Sequence, residues 1–260
     1  MDDIEKQLDT LNQTISEHDI NIAVICLPGE NCKDEISNSI TAVGMHPNVF
    51  NYTNTRIDLS KYDGYIITGG ASQDNVEISD DSIMHFIRFE ATKGKPVLGI
   101  SSAAKVLIKT GILPGLIDKV NFTAPKINNI VKTHKYSWKH ITKSCNRDTA
   151  FTNLIGTSEV LQMITHNKEG HFEINEQEII NQLNENDQIV FSYDNSKDSS
   201  KIAALCNREG NVLALTHNPG RSNWEPNVTI NGNNVFNEPG KGFKIFTSMK
   251  KYIDENKTWD

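Results

Sequence analysis

The sequence predicts a doubly wound, mostly parallel α/β sheet with added antiparallel strands in its second half, and three observations predict it. The run NIAVICLP (21–28) is apolar over the length of a strand, the pattern of a strand covered on both faces. The stretch GKPVLGISSAAKVLIKTGILPG (94–115) reads as a strand, a sharp turn at Ser101-Ser102 and a helix that stops at Gly111. Beyond residue 116 the spacing changes, and IAALCNREGNVLAL (202–215) reads as two apolar strands joined by Asn-Arg-Glu-Gly, with Gly210 where a positive φ is needed. Strands alternating with helices build a parallel sheet whose ligands sit at the carboxyl ends of the strands.

Ile4, Leu8, Leu11 and Ile15 recur at helical spacing, so residues 3–18 predict a short amphipathic helix ahead of the first strand. That strand stops at Pro28-Gly29. From Cys32 to Gly44, Ile36, Ile40 and Val43 share one face, and the closing glycine ends a helix. VFNYT (49–53) and YIIT (65–68) predict two further strands, the second running into Gly69-Gly70. Residues 80–93 space Ile83, Phe86, Ile87 and Glu90 as a helix with one buried and one wet face. In the strand–turn–helix unit, Ala103, Val106 and Leu107 face inward. Segments 127–133, 159–165 and 188–193 predict strands and Glu176 to Leu183 a helix. Residues 218–239, rich in Pro and Asn, predict a long loop, and GFKIFTSMKKYI (242–253) a terminal amphipathic helix. With no repeat and no linker in view, residues 1–20 read as a helical extension and 21–260 as one domain.

The length of 260 residues suits one large domain. Lys and Arg number 26 against 33 Asp and Glu, a net charge of −7, so the chain lacks the electrostatic footprint for nucleic acid or an anionic membrane. No run approaches the roughly 20 apolar residues of a membrane span, and the acidic start is unlike a secretory signal. Cys26, Cys32, Cys145 and Cys206 have neither zinc-site nor disulfide-framework spacing, which points to a reducing, cytoplasmic setting with no metal and no cofactor.

Five stretches then appear in order: AVICLPGENCKDE (23–35), YDGYIITGGASQDN (62–75), the unit 94–115, GNVLALTHNPGR (210–221) and GFKIF (242–246). Together they resemble the glutaminase subunit of phosphoribosylformylglycinamidine synthase, a family of class I glutamine amidotransferases of purine biosynthesis. The resemblance covers nearly all of 21–253 and is weakest between 116 and 160. It implies a flavodoxin-like amidotransferase fold. It implies also a thiolate on the elbow that attacks the glutamine amide, a His that handles its proton, a Glu that orients the His, and backbone donors for the oxyanion. At the positions matching the family's Cys, His and Glu stand Ser101, Asn218 and Gly220. A serine hydroxyl is far less acidic than a thiol of pKa about 8.5, an amide has no titratable nitrogen, and glycine has no carboxylate. The resemblance thus implies the scaffold of a glutaminase without its proton path. The segment LIDKVNFTAPKINNIVKTHK (116–135) also departs from the family, which argues against glutamine as the ligand.

Ser101 lies in a Gly-x-Ser-x-Ala elbow, with Gly69, Gly70, Ala71 and Ser102 as the oxyanion-side loop. That reads either as a serine-hydrolase elbow or as a strained turn kept after its cysteine was lost. His217, one residue before the matching position, is the candidate base, although neighbouring residues of a strand point to opposite sides. His166 and Glu169, in THNKEGHF (165–172), resemble the family's His-Gly-Glu-Gly loop with an added residue; the plainer alternative is a polar hairpin. Cys26 reads as a core residue, and Cys32 as a thiol at a helix start, where thiols are acidified. His134, Trp138 and His140 read as a solvated strand rather than a metal site, because no carboxylate stands at ligand spacing.

The expectation that follows is a non-catalytic relative acting by binding, as a regulatory or docking subunit, with a synthetase subunit or a glutaminase paralogue as its partner. Two alternatives stand beside it. One is a serine-dependent amidase or hydrolase using Ser101 with His217 or His166. The other is a synthase subunit that supports ammonia-dependent activity.

Overall fold

The computed structural model describes residues 19–30, 32–52, 58–69, 82–113, 115–116, 119–123, 136–166, 171–193, 201–223, 229–230, 233–234 and 240–258. The helix expected at 3–18 and the strand expected at 127–133 lie outside the described residues, as do Gly70, Ala71, His134 and Glu169.

Strand β1 (Asn21–Cys26) is buried at every position, as its unbroken apolar run requires. It pairs in parallel with β2 (His46–Asn51) on one side and β3 (Gly64–Thr68) on the other. β2 begins three residues before the expected strand, at His46-Pro47. Pro47 reads as a breaker in sequence, but β2 is the edge of the sheet, where a missing N–H costs no ladder bond. Between β1 and β2, helix α1 (Lys33–Ala42) buries Ile36 and Ile40. Helix α2 (Ser82–Thr92) buries Ile83, Met84 and Ile87. It also buries Glu90, whose carboxylate accepts from Lys93 Nζ at 2.7 Å and pairs with Lys95. Then come β4 (Val97–Ile100) and α3 (Ala103–Lys109), the predicted strand–turn–helix unit.

The second half adds β5 (Asn121–Thr123), β6 (Tyr136–Lys143), β7 (Val160–His166), β8 (His171–Glu173), helix α4 (Gln177–Glu185), β9 (Ile189–Tyr193), β10 (Ile202–Cys206), β11 (Val212–Leu215) and helix α5 (Phe243–Asn256). Two residues each, Thr229–Ile230 and Asn233–Asn234, pair as β12 and β13 inside the expected long loop. The main sheet runs β2-β1-β3-β4-β11-β10-β9-β6-β7, with β8 on β10 and β5 on β8. Pairing is parallel from β2 to β11 and antiparallel beyond, and the hairpin of β10 and β11 turns at Gly210 with φ +82°. The turn of the polar hairpin considered for 165–172 lies outside the described residues; of the strands on either side, β7 pairs with β6, whereas β8 pairs with β10 and β5.

Helices cover both faces. One apolar cluster joins Ala23 and Ile25 to residues of α2, α3 and α4; the other joins Ile22 and Val24 to Ile36 and Ile40 of α1 and to Ile245, Phe246 and Met249 of α5. The antiparallel part curls back on itself. Ile164 in β7 bridges to Asn218, just past the end of β11, so the outermost strand returns to the centre of the sheet. Among the described residues no helix is long and apolar enough to cross a membrane.

Candidate functional site

At the carboxyl edge of the sheet, Ile100 of β4 stands in register with Thr68 of β3 and Leu215 of β11. The chain leaving β4 turns directly into α3 through Ser101, which adopts φ 60°, a left-handed conformation that non-glycine residues rarely take. The turn is held by backbone bonds: Ser101 N–H donates to Leu215 O at 2.8 Å, and Ala104 N–H to Ser101 O at 3.1 Å. Ser101 is 4% exposed. Next to it, Ser102 packs its hydroxyl against Gly69, where any Cβ would collide with it, and that hydroxyl has no hydrogen-bond partner among the described residues.

The exit of β11 supplies the facing wall. Asn218 donates its N–H to Ile164 O at 3.0 Å, and its side-chain Oδ1 accepts from Arg221 N–H at 3.2 Å. The amide therefore caps the short helical turn Gly220–Ser222. Ser222 Oγ donates to Asn218 O and accepts from Ile164 N–H, both at 2.8 Å, which fastens the turn to β7. Gly220 lies against the start of α1. A Cβ there would stand 2.6 Å from Ile36 Cδ1 and 3.2 Å from the Glu35 carbonyl carbon and the Ile36 nitrogen, so a side chain at this position requires Ile36 and the start of α1 to shift. The same junction is tied by Arg221 Nε to Glu35 Oε1 at 3.0 Å and by Asn223 Nδ2 to Ser39 Oγ.

His217 is completely buried. Thr216 Oγ1 lies 3.0 Å from both Ala203 O and His217 Nδ1, so the hydroxyl holds the Nδ1 side of the ring. Nε2 is buried without a partner among the described residues, and Ser101 is one of those, so the imidazole makes no hydrogen bond to Ser101. Burial, with a smaller push from Lys139, lowers its pKa to about 3 and keeps the ring neutral. A base that weak draws little proton density from an alcohol at neutral pH. The ring packs instead on Tyr193, with centroids 5.4 Å apart, and Tyr193 in turn meets His171 edge-on at 6.3 Å.

The structure thus brings Ser101, Ser102 and Gly69 together, and brings His217, Asn218 and Gly220 to the adjoining strand exit. His166 closes β7, two residues past the Ile164 bridge. Trp138 and His140 sit on β6, with His140 exposed. Cys26 is a core residue, as expected. Cys32 corrects the sequence reading: it caps α1, yet burial and the neighbouring Glu30 raise its thiol pKa rather than lower it. Sequence reasoning missed Ile36, Tyr193 and His171. Ile36 was legible only as core, and the two rings are 22 residues apart in sequence with no shared motif.

A model of the CobB/CobQ-like glutamine amidotransferase domain matches residues 19–253 of the chain. The phosphoribosylformylglycinamidine synthase subunit PurQ of Methanothrix thermoacetophila is 29% identical to it over 265 residues, spanning 92% of this chain and 100% of that one. Within the structure of PurLQS from Thermotoga maritima, one chain superposes with a TM-score of 0.67 at 22% identity, over 90% of this chain and 99% of its own length. At that identity the likeness is one of fold.

Proposed function

The chain belongs to the CobB/CobQ-like glutamine amidotransferase domain family, and on that premise we propose that it is a PurQ-like subunit that keeps the glutaminase scaffold without hydrolysing glutamine. Its work in this reading is binding: it docks on a synthetase subunit, or on an active glutaminase, and regulates it. The likeness to a synthase subunit over the full length of that relative supports the partner class. The observation that carries the loss of chemistry is the β11 exit, where the matching base is an amide already engaged as a turn cap and the matching acid is a glycine closed against Ile36. Among the described residues, His217 is neutral and bonded elsewhere, so it offers Ser101 no ready proton acceptor.

Glutamate release from glutamine by the purified chain, alone and mixed with a synthetase partner, tests the reading. The expected rate equals the uncatalysed one and is the same in Ser101→Ala. Turnover that vanishes in Ser101→Ala would overturn the proposal. One observation favours a second reading: the left-handed Ser101 on a strand–helix turn is the geometry a serine hydrolase uses. A fluorophosphonate probe separates the two, because it labels Ser101 only if the hydroxyl is activated.

A further inference from the structure

A cavity of about 300 Å³ opens at the opposite end of the sheet from Ser101, between the segment after α3, the end of α4 and the turn joining β10 to β11. Its floor is apolar, made by Leu116, Ile179 and Leu183, all buried. Its rim carries Lys119, Gln182 and Arg208, none of which makes a side-chain hydrogen bond or ion pair with another described residue. One carboxylate, Glu209, also lines the cavity, and it accepts from Asn207 Nδ2 at 2.9 Å.

The walls are fixed in advance. Arg147 clamps both of them, donating from Nε to Asp187 O at 3.3 Å, from Nη2 to Asn207 O at 2.8 Å and from Nη1 to Arg208 O. Asn207 Oδ1 accepts from Gly210 N–H at 3.0 Å and from Val212 N–H at 2.9 Å, and Gln188 Nε2 donates to Cys206 O at 2.9 Å. A turn this heavily bonded presents Arg208 from a rigid base, which lowers the ordering cost of binding. Concave, apolar-floored sites with a few convergent polar groups are the form that small-molecule sites take.

We propose that this cavity binds a small organic anion with a flat apolar body. The anionic group rests on Lys119 and Arg208, the flat body covers Leu116, Ile179 and Leu183, and the Gln182 amide bonds a polar edge of it. The site stands apart from Ser101 and does not depend on whether glutamine is hydrolysed.

Calorimetric titration of the full chain tests it, with adenosine 5′-monophosphate as the phosphate form and indole-3-acetate as the carboxylate form. Adenosine and ribose 5-phosphate are the two halves. The expected result is saturable binding of at least one of the two complete anions, at least tenfold tighter than either half. Both Arg208→Gln and Lys119→Gln weaken it at least tenfold, as loss of a charge-assisted bond requires, with thermal melting unchanged because neither side chain supports the fold. The tighter of the two anions identifies the source of the charge. No saturable binding at about 1 mM, equal affinity for either half, or an affinity unchanged in either variant would overturn the proposal.

Discussion

The elbow after β4 and the exit of β11 lie side by side, joined by the pairing of Ile100 with Leu215, yet they hold their shapes by different means. The elbow is a backbone object. Its strained turn rests on Ser101 N–H to Leu215 O and on the helix that follows, and neither bond depends on which side chain sits at residue 101. The exit is a side-chain object. The resemblance asks it for an imidazole and a carboxylate, and it carries Asn218 and Gly220. Asn218 now caps a turn, and α1 has closed on Gly220. Backbone bonds thus fix the geometry of the elbow whatever side chain stands there, whereas the chemistry of the exit rests on its side chains, which is where the proposed loss of activity lies.

The comparison breaks first at Gly220. Gly220→Glu forces a carboxylate against Ile36 and the α1 backbone, and overpacking plus a buried charge is expected to cost about 4 kcal/mol in urea unfolding. Adding Ile36→Ala should return part of that loss. Ser101→Cys combined with Asn218→His and Gly220→Glu should stay without glutaminase activity, since the packing excludes the acid. A stable Gly220→Glu would show that the turn is open.

A smaller effect concerns pH. The folded-state pKa of His217, about 3, lies below its ordinary 6.5, so the unfolded chain binds the extra proton first. Stability from this group is complete above pH 6.5 and falls as pH drops through that window. The slope approaches about 1.4 kcal/mol per pH unit, or about 3 kcal/mol by pH 4. Urea midpoints measured from pH 7 to 4 should fall less steeply in His217→Gln than in the parent chain. Parallel slopes would mean that the imidazole is hydrated.

Smallest is the strain at the elbow. Ser101→Gly relieves a left-handed residue but adds freedom to the unfolded chain, so a net gain of about 0.5–1 kcal/mol is expected. A loss on the same substitution would show that the hydroxyl is bonded in the folded state.

Much of the parallel half was legible because strands covered on both faces write unbroken apolar runs, as NIAVICLP does. Where local signals conflict with position in the sheet, the sequence misled: Pro47 looks like a break but sits on an edge strand. The bridge of Ile164 to Asn218 and the closing of Ile36 on Gly220 were not legible, since each joins residues far apart in sequence whose local patterns say nothing of one another. The elbow could be read from Gly-x-Ser-x-Ala. The immersion of His217 beneath Tyr193 could not, because strand alternation loosens at the Thr216–Pro219 exit. Cys32 fails for a related reason: a helix start favours the thiolate, but only where water or a cation reaches it, and here burial dominates.

The proposed lack of a base beside residue 101 is read most directly by a thiol placed there. In Ser101→Cys, the pH dependence of iodoacetamide alkylation, mapped by mass spectrometry, gives the pKa of the introduced thiol. The native thiols are buried with raised pKa values, which slows their reaction. The expected value is at or above about 8.5, the range of an unassisted thiol. A value below about 7, as an imidazole or cation alongside would produce, would contradict it.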